Sequence, residues 1–92
     1  MAYDLAMKCF VASGVARGDN LDAGDKAAAA IFEAGARRSF DTAVKLGGVL
    51  GYSGSQQNED FGMAQTRELS KFVQDKAYLR TTLATCRAAG LV

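Results

Sequence analysis

The sequence predicts an all-α fold, a compact bundle of four to five short helices with the N- and C-terminal helices adjacent. Three observations carry this. Apolar residues recur at three- and four-residue spacings along nearly the whole chain. Nowhere do β-branched and aromatic residues alternate with polar ones over four or more positions, so no strand competes. Short clusters of Gly, Asp, Asn and Ser punctuate the periodic segments. The 92 residues fit one domain, 1–92.

The first helix is expected over 3–17. Leu5, Cys9, Ala12 and Ala16 fall on one stripe, and Gly18 after Arg17 reads as a C-terminal cap. "GDNLDAGD" is a loop, and Asp25 is a plausible N-cap for the second helix, with Asp22 competing. The helical pattern then runs from Lys26 to about Tyr52. A single helix of that length spans about 40 Å, longer than a small domain is wide, so a break is expected near Gly35, with Ser39 capping a new helix. That gives helices over about 25–36 and 39–51. "GYSGSQ" (51–56) is the clearest turn. Asn58, followed by Glu59 and Asp60, reads as the next helix start, with acids facing the helix dipole. Phe61, Ala64, Glu68, Leu69, Phe72 and Val73 form its expected buried face, ending near Gln74. Asp75 caps a last helix over 76–89, with Leu79, Leu83 and Cys86 on its apolar stripe and Gly90–Leu91 as its C-terminal cap and hydrophobic contact.

Composition narrows the function classes. Hydrophobic residues make up 49% of the chain, but much of that share is alanine, which favours helix and buries little area. A domain this size buries only roughly 60–65% of its unfolded surface, so an extra staple is useful. The formal net charge is +1 and the charge is evenly spread. The only adjacent basic pair, Arg37–Arg38, is flanked by Glu33 and Asp41, so there is no basic face for nucleic acid. No apolar run approaches the ~20 residues of a membrane helix, so no membrane insertion is expected. "MAYDLAMK" is no signal peptide, because Asp4 and Lys8 interrupt it. The chain is therefore either a cytoplasmic protein or the mature form of an exported one whose signal peptide is absent from this sequence.

The two cysteines, Cys9 and Cys86, lie near opposite ends on apolar helical stripes. Two readings are open: a disulfide joining the first helix to the last, or two reduced core cysteines. The even count, the terminal placement and the small size favour the bridge, which would close a long loop and contribute roughly 4.5 kcal/mol by chain entropy. A bridge places the protein in an oxidising compartment, periplasmic or secreted.

Most other chemistry is excluded. With no histidine, neither Ser-His nor Cys-His nucleophilic arrangements nor His-ligated metals are available. Asp19, Asn20, Asp22 and Asp25 faintly resemble a calcium loop, but Leu21 and Ala30 stand where ligands belong, and turn and cap roles explain the acids. No metal site and no cofactor are expected. "KLGGVLGYSG" (45–54) lacks the lysine and strand context of a phosphate loop; close helix packing plus a helix stop is the plain reading. A second is a small-residue face at Gly47, Gly51 and Tyr52 where another helix or subunit approaches. Glu59–Asp60 suits the helix dipole, and Asp4–Lys8 and Glu68–Lys71 suit surface pairs. Tyr3, Tyr52 and Tyr78 read as core-edge residues. No catalytic residue is assigned, and an enzyme is not expected.

With Cys9 in "KCF" (8–10) and Cys86 in "TCR" (85–87), the chain resembles the small exported all-α bacterial proteins with one terminal-to-terminal disulfide, among them the acid-stress periplasmic chaperones. The resemblance implies a protein that loosens at low pH and offers apolar surface to client proteins. Two functions are expected from the residues. One is a non-enzymatic envelope protein that binds a protein partner or itself as a homodimer, since Phe32, Phe40, Phe61 and Phe72 exceed what four short helices need. The other is a small-ligand carrier or accessory subunit with an interhelical pocket near Tyr52 and the glycines.

Overall fold

The computed structural model describes residues 2–92. Four helices follow one another: α1 (Ala2–Asp22), α2 (Lys26–Val49), α3 (Gly54–Gln74) and α4 (Lys76–Ala88). No strand occurs among the described residues. The terminal helices pack together, as expected.

Helix α1 is the hub and touches all three others, α2 most extensively. Its buried side chains, Tyr3, Ala6, Met7, Cys9, Val11, Ala12, Ser13 and Ala16, go right round its circumference. A helix apolar on all sides belongs inside a bundle rather than on its surface. Alanines at 6, 12, 16, 43 and 64 let the helices approach closely, and Phe72 is the only aromatic side chain fully withdrawn from solvent among the described residues.

Three boundaries differ from the sequence reading. Helix α1 does not stop at Gly18 but runs to Asp22. Asn20 Nδ2 donates to the Ala16 carbonyl at 2.7 Å, and Asp19 pairs with Lys76 at 2.8 Å, so the last turn is held from within and from α4. The chain reverses instead at Gly24, whose φ of 78° suits glycine, and Asp25 caps α2 by accepting from the Ala28 amide at 3.0 Å. Helix α2 has no break at Gly35. The molecule measures 40 Å along its longest axis, so a 24-residue helix, about 36 Å long, fits along it uninterrupted. Gly35 and Ser39 receive the C-terminal tail. A Cβ on Gly35 would meet the Val92 backbone at 3.2 Å, and the buried Ser39 hydroxyl donates to the Leu91 carbonyl at 3.0 Å. Helix α3 starts at Ser53, whose hydroxyl oxygen accepts from the Gln56 amide, rather than at Asn58.

The last helix follows expectation. Asp75 caps it by accepting from the Tyr78 amide. Gly90, at φ 75°, turns the chain so that Leu91 donates to the Cys86 carbonyl and buries its side chain. The Cys9 and Cys86 sulfurs are bonded, with both residues fully buried between α1 and α4.

Candidate functional site

Going round α1, its neighbours are α2, α3, α4 and the C-terminal tail, which returns to α2 at Gly35. The ring is open between α2 and α3. There lies a groove of about 990 Å³. Its floor is α1, with Phe10, Val11, Gly14, Val15 and Gly18. One wall is α2, with Ala36 and Phe40 above a charged edge of Glu33, Arg37 and Asp41. The other wall is α3, with Gln65, Leu69 and Val73. Three aromatic rings close the upper end: Phe40 stacks on Phe61 at 5.1 Å, and Phe10 sits edge-on to Phe61 at 5.3 Å.

The floor is low because two of its residues have no side chain. Gly14 and Gly18, one helical turn apart, have nothing within 4 Å of where a Cβ would stand. The walls are apolar and uncovered: Phe40 is 42% exposed, Leu69 40% and Val73 53%. Leu69 and Val73 were expected to be core residues. They lie on the flank of the α3 stripe, and the core side is taken by Ala64, Glu68 and Phe72. Charges line the groove on two elements: Glu33, Arg37 and Asp41 on α2, and Arg17, Asp19 and Asp22 towards the end of the α1 floor. Among the described residues none of Glu33, Arg37 or Asp41 is within ion-pair distance of an opposite charge.

A second, smaller recess of about 310 Å³ sits at the other end, between the start of α1 and the α2–α3 corner. Here the Tyr3 hydroxyl donates to Asp60 Oδ2 at 2.7 Å, and Gln56 Nε2 donates to Asp60 Oδ1 at 2.9 Å. Burial of the phenol, reinforced by the hydrogen bond to Asp60 and its negative charge, raises the Tyr3 pKa far above its ordinary value of 10.0. The folded protein therefore keeps Tyr3 protonated where the unfolded chain would ionise it. Stability from this site is fully present below about pH 10 and is lost as pH rises above it. Urea midpoints from pH 7 to 11 should stay level and then fall, and the fall should flatten in Tyr3→Phe. Parallel curves for the two proteins would remove Tyr3 as the cause.

The structure brings Gly47, Gly51 and Tyr52 together at the α2–α3 corner. Gly47 is buried, and a Cβ there would strike the Gln57 side chain at 2.7 Å, so its close neighbour is its own α3. Gly51, at φ 81°, is the helix stop, and the Tyr52 amide donates back to the Gly47 carbonyl at 2.8 Å. Tyr52 is half-exposed and sits edge-on to Tyr3 at 5.1 Å. The smaller recess lies at Tyr52, where sequence reasoning put an interhelical pocket, whereas the large groove lies over the middle and end of α1. The signal that could have located the groove is the Gly14–Gly18 spacing, hidden because Gly18 also fits a helix end. Of the acids expected in a loop, Asp19 lies on the last turn of α1 and pairs with Lys76, and Asp25 caps α2.

On the α3–α4 side, the buried Glu68 carboxylate accepts from the Tyr78 hydroxyl at 2.8 Å and lies 3.7 Å from Arg67 Nε. Lys8 stands 5.0 Å over the Tyr78 ring. These contacts tie α1, α3 and α4 together away from the groove.

Fold and site together define a class: a disulfide-clamped, all-helical scaffold with a three-sided groove whose walls are apolar and whose edges are charged. No family model, curated protein or solved structure matches the chain. A disulfide points to an oxidising compartment, and among the described residues no helix is long and apolar enough to cross a membrane.

Proposed function

We propose that this protein is a non-enzymatic, chaperone-like binding module of the cell envelope, periplasmic or secreted, that seats an apolar helical segment of a partner protein between α2 and α3. The observation that supports this most is the groove itself, the larger of the two recesses described beside α1. An α-helix with its side chains is about 10–12 Å across. A slot with helical walls and a glycine floor suits it, with the guest's apolar face set against Phe10, Leu69 and Val73. The guest's polar flank meets the charged edge of α2. The buried disulfide keeps α1, and so the floor, fixed to α4 while the slot stays open.

The second reading is a carrier for an apolar small molecule. The volume and apolar lining fall within the range of ligand sites, but such sites bury most of their ligand, and this one is open along a side.

The test uses a fluorescein-labelled, 18-residue amphipathic peptide with leucines at helical spacing, followed by anisotropy. Saturable micromolar binding is expected, at least about tenfold weaker in Leu69→Glu. Palmitate binding that depends on Leu69 without peptide binding would favour the carrier. If neither probe binds saturably, the groove is not a binding site.

A further inference from the structure

The outward face of α2 fits a second copy of itself. Residues 30, 34, 37, 41, 44 and 48 recur at alternating spacings of four and three, the seam of a coiled coil. All six are exposed: Ala30, Ala34, Arg37, Asp41, Val44 and Gly48. Such a seam on a lone surface helix ordinarily faces water with long polar side chains. Here four of its six positions are small or apolar, and the two charges sit at the centre with opposite signs. Among the described residues neither Arg37 nor Asp41 is within ion-pair distance of an opposite charge.

We infer that two copies associate through antiparallel α2 helices, related by a two-fold axis at position 39. In that register Ala30 faces the partner's Gly48, Ala34 faces the partner's Val44, and Arg37 faces the partner's Asp41. Each contact occurs twice, as an isologous two-fold requires. The order of charges decides the orientation. An antiparallel pair sets Arg37 against Asp41 on both sides of the axis, whereas a parallel, in-register pair sets Arg37 against Arg37 and Asp41 against Asp41. A central charged layer in an otherwise small-residue seam fixes register and direction, as polar residues do in coiled coils.

The seam is separate from the corner at Gly47, where sequence reasoning placed a dimer contact and where Gln57 of the same chain fills the space. Arg37 and Asp41 belong both to the seam and to the charged edge of the groove, and Phe40 flanks the seam on the groove side. In the dimer the two Phe40 side chains lie near the axis, and both grooves open on the same side. The stripe is about 27 Å long and one helix wide, an area in the class of weak, transient pairs. Arg38 on the outer flank brings like charges near the axis and keeps the association weak.

Sedimentation equilibrium of the oxidised protein tests this. The weight-average mass should rise from 9.7 kDa towards twice that value between about 10 µM and 1 mM. Arg37→Asp and Asp41→Arg should each stay monomeric, with association at least about tenfold weaker and the helical melt unchanged. An equimolar mixture of these two variants should associate again, because each then meets its opposite charge, and the double swap should restore the homodimer. Leu69→Glu, which alters only the groove, should dimerise like the parent. A parent protein that stays at 9.7 kDa up to 1 mM overturns the proposal. So does a mixture that fails to re-associate, or a dimer lost in Leu69→Glu, which would move the contact into the groove.

Discussion

Replacing both cysteines with alanine should lower stability by about 4–5 kcal/mol, the largest effect expected of any change in this chain. The bond joins positions separated by 77 residues. Cutting it frees most of the unfolded chain, and the loop-closure estimate for that length is roughly 4.5 kcal/mol. A domain of this size has about 5–14 kcal/mol in total. The core offers little to compensate, since six of its buried positions are alanines and few heavy apolar side chains lie fully inside. The melting midpoint should drop by roughly 20–35 °C. The entropic origin has its own signature: the uncrosslinked chain expands more on unfolding, so the denaturant m-value should increase. Both sulfurs are fully buried, so thiol reagents should reach them only through unfolding. A midpoint shift below about 5 °C, or rapid reduction of the native protein, would show that the bond is not what holds α1 to α4.

Helix content and the terminal pairing were legible because they depend on local signals: spacing, caps at Asp25 and Asp75, and αL glycines at 51 and 90. The expected break at Gly35 and Ser39 failed for a physical reason. A small residue and a helix-capping residue look the same whether they end a helix or receive a distant segment. Here the receiver lies on α2 and the segment is Leu91–Val92, some 50 residues away. The expectation also assumed a rounded molecule, and the 40 Å long axis removes that constraint.

The groove was less legible than the fold. Periodicity marks an apolar stripe but not whether a neighbour covers it. Leu69 and Val73 share the flank of a stripe whose centre, Ala64, Glu68 and Phe72, does enter the core. Only the placement of α2 decides that nothing covers that flank. Gly14 is similar: inside a helix it costs about 1 kcal/mol relative to alanine, and its open surroundings show that this glycine is not required by packing within the chain. The α2 seam was legible in principle. In the sequence its charges argue only against a basic face, and their antiparallel symmetry acquires meaning once the helix is continuous through position 39.

Phe72→Ala should be the most damaging single substitution in the core, at about 3–5 kcal/mol. Phe72 is the largest side chain with no exposed surface. It stands where α3 turns into α4 across the single residue Asp75, a corner with no loop to relax and fill a void. Its ring also stacks on Tyr78 at 5.1 Å, almost parallel. Tyr78 in turn donates to the buried Glu68 carboxylate. Removing the ring leaves a cavity and frees the tyrosine that satisfies that carboxylate. Phe72→Leu separates the two consequences. It keeps most of the volume and loses the ring pairing, so it should cost only about 1–1.5 kcal/mol. In the Tyr78→Phe background Glu68 has already lost its hydroxyl donor, so Phe72→Ala should cost less there than in the parent protein, a coupling of about 0.5–1 kcal/mol. Urea unfolding of the parent, the single variants and the double variant measures all three numbers. If Phe72→Ala costs less than about 1.5 kcal/mol, the α3–α4 corner is not closely packed. If the two substitutions simply add, the stack does not hold Tyr78 in place for Glu68.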